Sequence, residues 1–282
     1  MLCSCIAHHL AIGVDRIFVS LNLPDAKSER VAREFEGTGR VRAARVESFT
    51  DDPFHYFTAA KDAVLAWADP AWMMFVDSDE LWTPASGRIH DTVGLDHADL
   101  IDVPLFQAPP IREADGSIRA IDTADLRNTT VAASTEAMDA DYLARNPDSA
   151  VVMAGGSKVL VRPEIVAEVG RGAHAVTTRV AEPRRGSVSD LAILHFPFTS
   201  RERFRRKVER VRARLALYGH RFGPRQAWHW RRWLEIDDAG GLDAEFDRQL
   251  VDAAGIAALR TKGVLATPAV VFARCGPTAC ER

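Results

Sequence analysis

Asp77-Ser78-Asp79-Glu80 places three acids around one serine, directly after five apolar residues, Trp72 to Val76. Carboxylates this close repel one another unless a cation lies between them. A hard dication such as Mg2+ or Mn2+ takes oxygen ligands and keeps positions open for the oxygens of a substrate phosphate. Held in that way, it would neutralise a departing diphosphate as a Lewis acid. Ser78 is small enough to let the loop approach a ligand closely. A plainer reading stays open, in which the acids end a strand and cap the next element. D-x-D recurs at Asp139 and Asp141, but only the first copy closes a segment of buried-strand character. A phosphatase of the D-x-D-x-T type needs threonine at the fifth position, where this chain has Leu81.

Other side chains are candidates for the same site. His195 ends the apolar run of "DLAILHF", a strand end where a further metal ligand would be needed. His174 in "GRGAHAV" reads as a base, a metal neighbour, or an ordinary surface or core histidine. Lys158, after Gly155-Gly156, either pairs with phosphate or is merely solvated. Glu164, Glu168 and Asp190 are options for a general base, and the sequence does not choose among them. His8 and His9 read as packing and capping residues. Cys3, Cys5, Cys275 and Cys280 make an awkward C-x-C plus C-x4-C set for zinc and are better read as reduced thiols.

The elements that must position these residues can be read from apolar periodicity and capping signals. A helix in "CIAHHLAIG" stops at Gly13, and a strand spans Ile17 to Leu21. A helix starts at Pro24-Asp25 and ends at Gly37. "RVRAARV" is a strand, "DDPFHYFTAAKDAVLAWA" a helix with Asp52 as N-cap and Pro53 at N1, and "WMMFV" a strand. This β-α-β-α-β order predicts a mostly parallel sheet flanked by helices, whose ligand lies beyond the carboxyl ends of the strands. Asp77, Asp79 and Asn22 all fall at such ends. "DLIDVPLF" is another strand, and residues 107–150 form a long irregular insertion. "SAVVMAGGSKVLVRP" reads as a hairpin turning at Gly155-Gly156, and "DLAILHFPF" as a late strand.

A helix then begins with Thr199 and Glu202 at capping-box spacing and carries the apolar stripe Phe204, Val208, Val211, Leu215 and Tyr218. Residues 224–236 and 242–260 read as two further helices. The expected domains are residues 1–200, catalytic, and residues 201–282, a basic helical C-terminal extension packed on it. From Arg201 to Trp233 there are twelve Lys/Arg against two Glu, in a chain of net charge −3. Such an excess seeks an anionic partner, unless the arginines are simply the solvated face of a packed helix. No apolar run reaches a membrane span, and "MLCSCIAHHLAIGVD" lacks a basic n-region, so a cytoplasmic protein is expected.

"IAHHLAIGVDRIFVSLN", "FVDSDELW", "GSKVLVRP" and "ILHFPFTSRERFRRKVER" occur in this order and at fitting distances over residues 6–215. Together they resemble bacterial family 2-type glycosyltransferases of the GT-A fold, in the subgroup with an AHH-x-x-x-G helix and a D-x-D-E signature. The resemblance implies a Rossmann-like α/β domain and transfer of a sugar, with inversion, from a nucleotide-diphosphate sugar to a glycan, lipid-linked or other hydroxyl acceptor. It implies Mn2+ or Mg2+ as cofactor. Asp77 would face the ribose and metal, Asp79 would ligate the metal through the diphosphate, and His195 would add a metal contact. Asn22 and Asp25 would meet the nucleoside. The family opens with a strand ending in Asn-Glu, whereas only "MLCSC" precedes Ile6 here. Either the true start lies upstream or that strand is absent, which would leave neighbouring backbone unpaired. The alternative is a non-catalytic GT-A-like module that binds an anionic surface, membrane or nucleic acid, through residues 201–233. For the enzyme, peripheral contact with the inner face of an anionic membrane is expected and nucleic acid is not.

Overall fold

The computed structural model describes residues 1–22, 24–46, 56–133, 156–221 and 228–274. They form two compact units, one of residues 1–105, 156–194 and 269–282, the other of residues 106–155 and 195–268. The described part of the insertion, residues 106–133, thus groups with the C-terminal helices.

The first unit begins with helix α1 (Leu2–Ala11), which stops before Gly13 at φ +99°, a conformation that costs glycine least. Strands β1 (Ile17–Asn22) and β2 (Val41–Val46) pair in parallel from Ile17 opposite Val41 to Asn22 opposite Val46. Between them runs α2 (Ala26–Glu36), with Asp25 as N-cap accepting from the Ser28 amide at 2.8 Å. Ile6, Val19 and Val41 are the buried centre of this layer, with Leu10, Val31 and Phe35 packed against them. Helix α3 (Tyr56–Leu65) comes next; the predicted caps Asp52 and Pro53 lie outside the described residues.

The larger sheet has six strands, β3 (Met73–Met74), β7 (Ser157–Val161), β5 (Leu100–Gln107), β11 (Leu191–His195) and β4 (Glu80–Pro84) in that order, with β10 (Arg185–Ser187) also paired to β5. This sheet is mixed, which corrects the expectation of a mostly parallel one. β3 runs antiparallel to β7, β7 antiparallel to β5, and β10 parallel to β5. Alternation of strand and helix in the sequence fixes how the chain enters each strand, but not which late strand slips between two early ones, and β7 does so here. The ladder of β3 is also shorter than the predicted Trp72–Val76. Phe75 is still buried, yet by Phe75 and Val76 the chain has left the ladder and is heading into the turn that starts β4. One core lies around Trp82, Ile101, Val103, Leu191 and Ile193, and a second around Met73, Phe75, Val159, Val161 and Ala173. The predicted Gly155-Gly156 hairpin lies partly outside the described residues. The small antiparallel pair β8 (Val166–Val169) and β9 (Val176–Thr178) completes this unit's strands among the described residues.

The second unit is built on helices α4 (Arg201–Tyr218), α5 (Trp228–Asp238), α6 (Leu242–Gln249) and α7 (Ala253–Thr261), with an antiparallel pair of β6 (Val131–Ala132) and β12 (Leu265–Ala266). Ser200, not Thr199, is the N-cap of α4, accepting from the Arg203 amide at 3.2 Å, so the predicted box with Glu202 does not form. The helix predicted over 242–260 is two helices, because Asp252 caps a new one by accepting from the Gly255 amide at 2.8 Å. Phe204, Val208 and Val211 of the predicted stripe are buried, and Leu215 and Tyr218 are half-buried. Phe204 meets Phe198 and Trp233 edge-on, at ring separations of 5.2 and 5.3 Å, over Phe246 and Leu242. The basic helix is largely matched on this side: Arg201 bonds Asp247, Arg205 bonds Asp243, and Arg212 bonds both Asp237 and Asp238. Arg232 and Arg248 close on Glu245, which burial pushes towards the neutral form but which the two guanidiniums hold below its ordinary pKa. Truncating the central ring, Phe204→Ala, is expected to cost about 3–5 kcal/mol in urea unfolding, because rigid aromatic neighbours cannot collapse into the space.

Candidate functional site

Asp77 to Glu80 form a tight turn between β3 and β4. The Glu80 amide donates to the Asp77 carbonyl at 2.9 Å, and the Asp77 amide donates to Glu80 Oε2, also at 2.9 Å. These reciprocal bonds fix the turn. Below it lies Lys158 at the start of β7, whose side chain is only 1 % exposed. Its Nζ is 2.6 Å from Glu80 Oε2 and 2.9 Å from Asp77 Oδ2. The two carboxylates differ in setting. Glu80 is 3 % exposed and Asp77 is 52 % exposed, so Glu80 is the buried counter-ion while Asp77 presents its second oxygen outward. Burial disfavours the Lys158 ammonium, but Asp77 and Glu80 outweigh it and hold the group charged, above its ordinary pKa. The expectation that Lys158 is solvated is thereby corrected: it is buried, and Glu80 and Asp77 each accept from it.

The helix with the AHH motif supports the turn from the other side. Cys5, His8 and His9 stand at i, i+3 and i+4, one face of α1, and that face lies along β4. His8 Nε2 donates to the Trp82 carbonyl at 2.7 Å. His9 Nδ1 donates to the Cys5 carbonyl at 2.7 Å, which leaves its Nε2 to accept from the Trp82 amide at 3.3 Å. Cys5 Sγ donates weakly to the Glu80 carbonyl at 3.7 Å. All three are buried, so each is held in its neutral form. Burial lowers His8, and burial with help from His8 lowers His9 to about 4. Burial, then the charges of Glu80, Asp79 and Asp77, push the Cys5 thiol up to about 12. His8 and His9 are therefore packing and backbone-bonding residues.

His174 joins the same strand. Its Nδ1 donates to the Ser157 carbonyl at 2.6 Å, one residue before Lys158, so the neutral ring carries its lone pair on Nε2. Two left-handed residues precede it, Gly172 at φ +66° and Ala173 at φ +54°; the latter is the one non-glycine in that region among the described residues. Backbone strain of this kind persists where surrounding structure over-determines it. Here the buried methyl of Ala173, in the core with Phe75 and Val159, does so.

The structure thus joins Asp77, Lys158 and, through Ser157, His174, and adds Glu80 and Cys5. Asp79 is half-buried in the turn. Asn22 is exposed at the end of β1, and Asp25 caps α2. His195 belongs to the second unit, where its carbonyl accepts from the Ala108 amide at 2.8 Å. Asp190, a candidate base, accepts from the Val93 amide at 2.9 Å, while Glu164 and Glu168 are exposed. Sequence reasoning missed the role of Glu80 and Cys5. The helical spacing of Cys5 with the histidines carried that signal, as did a lysine opening the apolar run of Val159 to Val161. Among the described residues no three His, Cys, Asp or Glu side chains gather as a protein-only metal cage would require. No helix among them is long and apolar enough to cross a membrane. Compared with protein-family models and with curated proteins, the sequence gives no match.

This packing carries two measurable consequences for stability. Lys158→Met leaves Glu80 charged and alone in the interior and should cost about 3–5 kcal/mol in chemical unfolding; adding Glu80→Gln should recover more than half of that loss. The second concerns pH. His9 binds its proton more weakly folded (about 4) than unfolded, so between the two values the unfolded chain holds more protons and stability rises with pH. That contribution, roughly 3 kcal/mol, is complete above the unfolded value of 6.5 and lost as pH falls towards 4. Cys5 has the opposite sign: its contribution is complete below 9.0 and lost as pH rises towards about 12. Urea midpoints should plateau between these limits, and His9→Gln should flatten the acid limb.

Proposed function

We propose that the protein is a glycosyltransferase that moves a sugar from a nucleotide-diphosphate sugar to a hydroxyl acceptor, with a divalent cation at the Asp77–Asp79 turn. The observation that carries this reading is the division of labour in the turn. Glu80 and Lys158 bury one ion pair that fixes the backbone, while the half-exposed carboxylate of Asp77 is presented on it. A preorganised, oxygen-only donor set fits a hard dication that draws its other ligands from substrate phosphate. When bound, such an ion supplies Lewis-acid stabilisation of a departing diphosphate.

In this reading Asp77 and Asp79 hold the cation, and Lys158, having claimed one oxygen of Asp77, shifts the greater share to Asp79. Lys158 orients Asp77 and does not touch the donor. His174, with Nδ1 committed to Ser157, holds the lone pair of Nε2 ready to take a proton from the acceptor hydroxyl. Asn22 and Asp25 face the nucleoside, on the strength of the family resemblance alone. The GT-A form of the fold, inversion and the bacterial family rest on that same resemblance.

Thermal shift with UDP- and GDP-sugars, with and without Mn2+, tests the reading. Nucleotide and metal together should raise Tm more than either alone, since a ligand at about a hundred times its Kd adds about 2.7 kcal/mol. Asp79→Ala should abolish the joint effect. An equal gain in Asp79→Ala would remove the site.

A further inference from the structure

Helix α4 carries three stripes along its length. One is the apolar row that builds the core. A second, Arg201, Arg205 and Arg212, is matched by Asp243, Asp247, Asp237 and Asp238 of α5 and α6. The third is Arg203, Lys207, Arg210, Arg214 and Leu217, at successive spacings of four, three, four and three, which is one face of a helix. That row contains no acid. Several of its cations also make contacts within the chain; their common sign and register are what matter.

Two features set this row apart from a merely solvated basic face. Leu217, which continues the cation row, is 47 % exposed, one of five large apolar side chains so exposed among the described residues. Arg214 lies over the ring of Trp230 on α5, with its guanidinium carbon 5.7 Å from the ring centre, so a half-buried indole borders the row at the same end. Lys207 likewise lies over Phe198, with its Nζ 5.7 Å from the ring centre. Cations whose charged ends lie beside aromatic rings, next to an exposed leucine and an indole, match the composition of a lipid interface, with charge at the headgroups and apolar groups just below. Phosphate-rich nucleic acid would use the cations and the indole but has no use for Leu217.

We infer that the Arg203–Leu217 face of α4, with Trp230 at its border, docks on an anionic phospholipid surface. It attaches the second unit peripherally, independently of any chemistry in the first. The test is co-sedimentation of the full chain with vesicles of phosphatidylcholine alone or mixed with phosphatidylglycerol, at low and high salt. Binding is expected only to the anionic vesicles and should weaken as salt rises. Arg210→Ala should weaken it about fivefold, with Arg210→Lys restoring it. Leu217→Ser should weaken vesicle binding without changing its salt dependence. Both side chains are exposed, and unchanged circular dichroism and Tm would establish that the variants fold. Equal binding to both vesicle types, no binding to either, or folded variants that bind as well as the parent would overturn the inference. So would tighter binding to a single-stranded RNA oligonucleotide, unaffected by Leu217→Ser.

Discussion

The buried ammonium of Lys158 is the constraint on which the first unit's site depends. An isolated charge there would be costly enough to drive the group neutral or the region open. Glu80 prevents this at 2.6 Å, and Asp77 adds a second, more exposed partner at 2.9 Å. Because Lys158 belongs to β7 and Glu80 opens β4, the ion pair ties together strands from opposite sides of the strand order. The turn between β3 and β4 takes its shape from that tie and from the reciprocal Asp77–Glu80 bonds. The crowding of acids is thus resolved in two ways. Glu80 is neutralised inside the protein, Asp77 shares the same ammonium from an exposed position, and a dication is proposed at the Asp77–Asp79 turn.

Much of the local structure was legible in the sequence. Gly13, Gly37 and Asp25 bound their helices as the capping signals indicate, and the apolar runs at 17–22, 100–107 and 191–195 are strands. What was not legible was pairing. An apolar run that suits a parallel strand suits an antiparallel one equally, so the place of β7 between β3 and β5 could not be read from alternation. The Ser200 cap shows a similar limit: two adjacent hydroxyl residues compete, and backbone geometry one residue along decides between them.

The site was legible in its parts more than in their roles. The D-S-D-E stretch announces itself by charge density, and His174 by the glycines before it. Lys158 misled because a lysine after two glycines looks solvated, while its burial depends on a carboxylate far earlier in the chain, that of Glu80. The basic segment was legible only in its total charge. Its surplus of positive charge is matched in large part by aspartates that appear only later in the chain, on α5 and α6.

The docking of α1 on β4 has a consequence for how the protein avoids its own kind. β4 ends the strand order, and an outermost strand normally offers unpaired amides and carbonyls to any passing chain. Here imidazoles stand in for a neighbouring strand, with His8 and His9 saturating both backbone polar groups of Trp82. The helix thereby covers an edge open to edge-to-edge pairing, and the bond that His9 accepts from the Trp82 amide lasts only while that ring is uncharged.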